Sequence, residues 1–121
     1  MSRDIFLQDL PPGITSVGDI PDDFVPGPLP VTRAQVIAAI NAEAPHADAS
    51  DPRWITIAIP GRYHIEANLG ASERLEHFAF HVHGGAHAEQ LIARVLERLA
   101  LRALDVASDS GLFVGGVPVA G

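Results

Sequence analysis

The sequence predicts an α+β domain: a mostly antiparallel sheet of four to five strands with two helices packed on one face. The expected order is β-α-β-β-β-α-β. Two observations carry this. Three successive segments between residues 54 and 83 alternate apolar and polar side chains, the period of a strand. Two other segments, after Thr32 and after Gly85, carry apolar residues at the 3.6-residue period of a helix.

The elements follow in order. Ile5, Phe6 and Leu7 sit between acids and read as a short first strand. Residues 11–31 form an irregular, acidic, proline-rich loop holding six of the ten prolines. Proline fixes φ and removes a donor, so neither helix nor central strand is expected there. Ile14, Val17, Ile20, Phe24, Val25 and Leu29 are expected to pin this loop to the body. Thr32 followed by Gln35 fits a capping box, Val36, Ile37 and Ile40 make a stripe, and Pro45 ends the helix.

Trp54–Ile59 is the next strand, with Ile55, Ile57 and Ile59 on one face. Pro60 and Gly61 turn the chain, and Tyr63, Ile65, Ala67 and Leu69 alternate with Arg62, His64, Glu66 and Asn68. After a turn at 70–73, Phe78, Phe80 and Val82 alternate with His77, Ala79, His81 and His83. Short turns make these three strands a meander with one face open to water. Gly84 and Gly85 break the strand, and residues 86–103 form the strongest helix, with Leu91, Ile92, Val95, Leu96 and Leu99 inward. Leu104 to Ala107 is a candidate last strand, and 112–121 reads as a glycine-rich tail that is a candidate for flexibility. Both helices are expected on the Ile55/Ile65/Phe80 face.

Composition bounds the class. The 121 residues fit a single domain spanning 1–121, long enough to bury a core without staples. There is no cysteine, which excludes disulfides, thiolate metal sites and cysteine nucleophiles, and favours a reducing, cytoplasmic setting. No signal peptide or membrane span is expected. The net charge is -7, and every basic residue is arginine. Such a domain repels phosphate backbones, so no nucleic-acid partner is expected. A basic protein partner fits the acidity, as does simple solubility.

The residues that bear chemistry are mostly histidines. Strand parity puts His77, His81 and His83 on one face, and His64 and Glu66 join it if apolar faces agree across the sheet. Strand rise separates His77 from His81 by roughly 13 Å, too far to share a metal directly. The candidate metal set is therefore His81, His83 and a cross-strand His64 or Glu66, a donor chemistry suited to zinc. Such a site is able to hydrolyse a substrate. His81 or His64 beside Glu66 is alternatively a candidate general base. The plainer reading is ordinary histidine on a half-exposed sheet face, since no HExxH-type spacing occurs.

Other features are weaker. Gly84-Gly85 before a helix, flanked by His83 and His87, is either an anion-binding turn or a tight turn that needs small residues. Ser50 near His46, Asp48 and Asp51 reads as turn chemistry rather than a triad. In the acidic loop, Asp19, Asp22 and Asp23 flank Phe24, a charge-plus-aromatic pattern suited to protein recognition or to a pinned surface loop.

The opening Asp4-Ile5-Phe6-Leu7-Gln8-Asp9-Leu10, the segment Val17-Gly18-Asp19-Ile20-Pro21-Asp22-Asp23-Phe24, His81-Val82-His83-Gly84-Gly85 and Arg102-Ala103-Leu104-Asp105 carry a resemblance. Together they resemble a group of small bacterial proteins of unknown function, similar in size and layout to immunity proteins of toxin systems. The resemblance implies a bacterial cytosolic α+β protein with a binding role, and it carries no catalytic residues over. Three functions follow as expectations. The first is a non-enzymatic protein-binding module, immunity-like, using the acidic loop and the sheet face. The second is a small histidine-based or metal-dependent hydrolase on that face. The third is a homodimer that buries it, with Trp54 and the histidines as filler.

Overall fold

In the computed structural model, residues 2–105 and 107–113 are described. The order is β1 (Ser2–Gln8), α1 (Arg33–Glu43), β2 (Trp54–Ile59), β3 (Tyr63–Asn68), β4 (His77–Gly84) and α2 (Ala86–Leu99). The four strands form one fully antiparallel sheet in the order β1-β4-β3-β2. The last three strands are the expected meander, and β1 adds to the free side of β4.

Alternation decides the layers. Ile5 and Leu7 of β1, Ile55 and Ile57 of β2, Ile65 and Ala67 of β3, and Phe78, Phe80 and Val82 of β4 are all buried on one face. Val36, Ala39 and Ile40 of α1 and Leu91, Ile92, Val95 and Leu96 of α2 close over that face to make a single core. At roughly 25 cal/mol per Å² of apolar surface, this burial is the main stabilising term.

Each helix carries its own end signals. The Thr32 side chain accepts from Gln35 N, and Gln35 Oε1 accepts from Thr32 N at 2.8 Å, which is the reciprocal capping box. α2 stops at Leu99 rather than near Ala103, because Ala100 adopts the left-handed conformation with φ 53°. Leu101 N donates to Leu96 O at 3.0 Å and Ala100 N to Glu97 O at 3.2 Å, a Schellman closure. Glu43 of α1 ties the two helices by accepting from Arg94 and Arg98 of α2.

The candidate fifth strand is reduced to bridges. Leu104 pairs with Phe6 and with Leu112 as isolated bridges, not as a ladder. The Phe6 and Leu104 amides exchange bonds of 2.9 and 2.7 Å along the outer edge of β1. On the opposite edge, Asp48 and Thr56 exchange bonds of 2.8 and 3.0 Å along β2. Of the 112–121 stretch, Leu112 is buried and Phe113 half-buried, and 114–121 lie outside the described residues.

The proline-rich loop is anchored mainly by its two ends. Ile14 and Leu29 are buried, Ile20 and Phe24 half-buried, and Val25 stands 83% exposed. It contains one 3-10 turn, Val17–Asp19, which the proline content alone did not predict. Asp9 Oδ2 accepts from Gly27 N at 2.9 Å, and Leu29 N donates to Leu75 O at 2.9 Å. The β3–β4 connection is longer than a tight turn, and it is held by α1. Glu73 O accepts from Arg33 N at 2.9 Å, and Glu73 Oε1 accepts from Ala34 N at 2.9 Å.

Among the described residues, one charged side chain is fully buried. Asp105, 0% exposed, accepts from Arg3, whose guanidinium also reaches Glu89 in the first turn of α2. The Arg3 guanidinium is held above its ordinary pKa by that bond to Asp105, with the Asp105 and Glu89 charges adding to it against partial burial. Arg3 has the parity of Ile5 and Leu7, so it reaches the core side at the rim of the sheet. This ties the first strand, the second helix and the C-terminal segment together.

Candidate functional site

No described helix covers the other face of the sheet, and the register fixes its grid. One row across β1, β4, β3 and β2 holds Phe6, Ala79, Asn68 and Trp54. The next holds Asp4, His81, Glu66 and Thr56. The one beyond has His83 beside His64, and His64 beside Ala58. On the opposite side of the aromatic row, His77 stands across from Gln8. The expected gathering of His64, Glu66, His81 and His83 on the uncovered face is therefore what the chain forms.

The side chains sort into pairs. His81 lies between two carboxylates, Asp4 on one side and Glu66 on the other, and Nδ1 of His81 bonds Asp4 Oδ1 at 2.8 Å. Nε2 of His64 bonds Glu66 Oε1 at 2.8 Å along β3. The Trp54 indole leans inward and stacks on the His81 ring, with centroids 6.2 Å apart and planes 23° from parallel. His83 meets His64 edge-on at 6.3 Å. Among the described residues, no three histidine or carboxylate groups are placed to hold one metal ion. The zinc-type set His81, His83, His64 and Glu66 is thus adjacent in the grid, and its side chains are directed to partners in twos.

Asp4 is the member that sequence reading missed. The signal was present: Asp4 has the outward parity of Phe6 once Ile5 and Leu7 face the core. What was lacking was the pairing of β1 with β4, a contact between residues about 80 positions apart.

The acidic loop separates into different roles. Asp19 Oδ2 accepts from Thr15 N, Thr15 Oγ1 and Ser16 N at 2.9–3.2 Å, and the Thr15 amide and hydroxyl with the Ser16 amide hold its carboxyl below the usual carboxylate pKa. Its carboxylate is therefore engaged inside the loop. Asp22 and Asp23 are exposed beside half-buried Phe24. Val25, the next residue, is the most exposed large apolar side chain among the described residues.

The smaller candidates resolve locally. Asp48 Oδ1 accepts from Ser50 N and Oγ at 3.0 and 2.7 Å, a turn built by the aspartate. Gly84 has φ 151°, and a Cβ there meets Tyr63 Cβ at 2.6 Å. Close approach of β3 thus accounts for the small residue at that turn.

No described helix is long and apolar enough to cross a membrane. A scan of protein-family models, a search of curated proteins and a search of solved structures each return no match to this chain.

Proposed function

We propose that the protein is a non-enzymatic binding module whose open sheet face docks a basic protein partner. One observation carries this reading. The uncovered face combines two aromatic anchors, Phe6 and Trp54, each 40% exposed, with the carboxylates of Asp4 and Glu66. None of the eight arginines occupies an outward strand position on it. Aromatic anchors with a polar surround are the composition of a protein-binding patch, and the charge favours a positive partner. Asp22 and Asp23 add to the acidity on the loop. Capture of a basic toxin, as an immunity protein does, is a specific form of this role, because acidic surfaces speed encounter.

The test compares the natural chain with a variant combining Trp54→Ala, Asp4→Asn and Glu66→Gln, each immobilised in cell extract. The natural chain is expected to retain a positively charged protein that moderate salt releases and the variant does not hold. Equal retention by both chains, or retention of acidic proteins, counts against the reading. Sedimentation of the purified chain as a dimer that Trp54→Ala dissociates points instead to a homodimer through this face.

A second reading has one observation in its favour. The Asp4–His81 bond is made at Nδ1, and Nε2 of His81 bonds no other described residue, the arrangement of a carboxylate-oriented general base. Among the described residues, no serine or threonine hydroxyl is bonded to that imidazole, so a hydrolase must use water. Hydrolysis of an activated ester that is abolished by His81→Asn and reduced by Asp4→Asn supports this reading. Activity unchanged in both variants removes it.

A further inference from the structure

The end of the sheet where β1 and β3 finish holds a feature that shares only the Phe6 anchor with the docking face. Three depressions of about 660, 420 and 270 Å³ open there, and His77 lines all of them. The first two share Leu69 and Gly70, and the last two share Gln8. They adjoin one another around a single imidazole and are read together as one branched cleft, whose two larger branches each fall within the size range of small-molecule sites.

Its walls are preformed. One is the Pro26–Pro28 segment, fixed by the Gly27–Asp9 and Leu29–Leu75 bonds. Another is the β3–β4 connection, gripped by the start of α1 through Arg33 to Gly70 O at 3.1 Å and through Glu73. A third is Leu104, bridged to Phe6. Long loops held this firmly are commonly part of a site rather than slack chain.

The lining has a distinct chemistry. Gln8, Asn68 and His77 make no side-chain hydrogen bond to another described residue, whereas Asp4, Asp9, Glu66 and His81 all do. Each carboxamide offers two donors and an acceptor. Phe6 exposes its ring beside them, and small Ala79 between Phe6 and Asn68 leaves a dip in the floor. The 420 Å³ branch contains no carboxylate or arginine, and in the largest branch Arg74 and Glu76 offset each other.

We infer that this cleft binds a neutral saccharide. A lining in which Arg74 and Glu76 offset each other, and whose 420 Å³ branch has neither, gives no net positive charge to hold phosphates and carboxylates. Carboxamides in the two smaller branches, with an imidazole common to all three, suit a ligand that carries hydroxyls on several edges. The apolar face of a sugar ring then lies on Phe6. A nucleobase, which offers hydrogen-bonding groups on fewer edges, leaves part of this set unpaired.

The test is an NMR titration of the full chain with glucose, galactose, mannose, cellobiose, lactose and N,N′-diacetylchitobiose, with adenosine as the contrast. At least one saccharide is expected to bind at about millimolar affinity and to shift the amides of Phe6, Gln8, Asn68 and His77. Asn68→Leu and His77→Ala, both at exposed positions, are expected to weaken it about tenfold each. Unchanged spectra elsewhere establish that these variants fold. No shift with any of the sugars overturns the inference, as do shifts centred on Trp54 and His81, or binding of adenosine alone.

Discussion

Asp105 is the residue on which the ends of the chain converge. It is buried, and its partner Arg3 lies 102 positions away. Asp105→Asn keeps the shape and removes the charge, leaving a partly buried guanidinium with Glu89 alone. A loss of about 2 kcal/mol is expected, less than for a fully buried broken pair because Arg3 is partly solvated. Urea unfolding checks it, and an unchanged midpoint contradicts it. Four hydrogen-bonded carboxylates shape the acid limit. Asp19 is held low by Thr15 and Ser16, Glu43 chiefly by Arg98, Asp48 by Ser50 and Asp51 by Arg53. A folded pKa below the unfolded value stabilises above the unfolded pKa and is lost as pH falls through the folded one. Stability is therefore expected to hold down to about pH 4 and decline below it. Urea midpoints followed across that range test the sign, and Asp19→Asn should flatten part of the decline.

Among the elements, the end of α2 offers a clean substitution. Ala100 sits at φ 53° in a Schellman closure, where glycine is normally preferred. Ala100→Gly is expected to stabilise the domain by about 0.5 kcal/mol, read as a higher thermal midpoint. This position also shows why the helix end was not legible. Leu99, Leu101 and Ala103 continue an apolar pattern, and no glycine or proline marks the stop. The strands were legible for the opposite reason. Ile55 and Ile57, Ile65 and Ala67, and Phe78, Phe80 and Val82 alternate without a break, so the histidine face followed from parity. Register was not legible, because parity constrains the face and not the neighbour. Hence Glu66 opposite His81, Asp4 bonded to it, and the cleft around His77 all required the folded chain. The Thr32/Gln35 capping box was readable outright, because its chemistry is local.

For the whole molecule, the open face is a balance of few charges. Asp4 and Glu66 are its strand carboxylates, and His64, His77, His81 and His83 share the face with them. β2 contributes no titratable group in these rows, and no described helix packs there. A basic partner docked there is therefore expected to dissociate more readily as salt rises, and Asp4→Asn with Glu66→Gln should remove most of that dependence in a binding measurement at two ionic strengths.

The two short bridges at the sheet margins have a consequence of their own. Phe6 with Leu104, and Asp48 with Thr56, occupy the middle of each outer strand. An incoming strand finds only a few free donors and acceptors on either side of the obstruction. Growth of the sheet from molecule to molecule, the first step toward a fibril, is blocked at both ends by the chain itself. The segment Trp54–Ile59, apolar and uncharged, is the stretch most in need of that protection. Cutting the Asp48 bridge therefore threatens solubility on storage well before it threatens the fold.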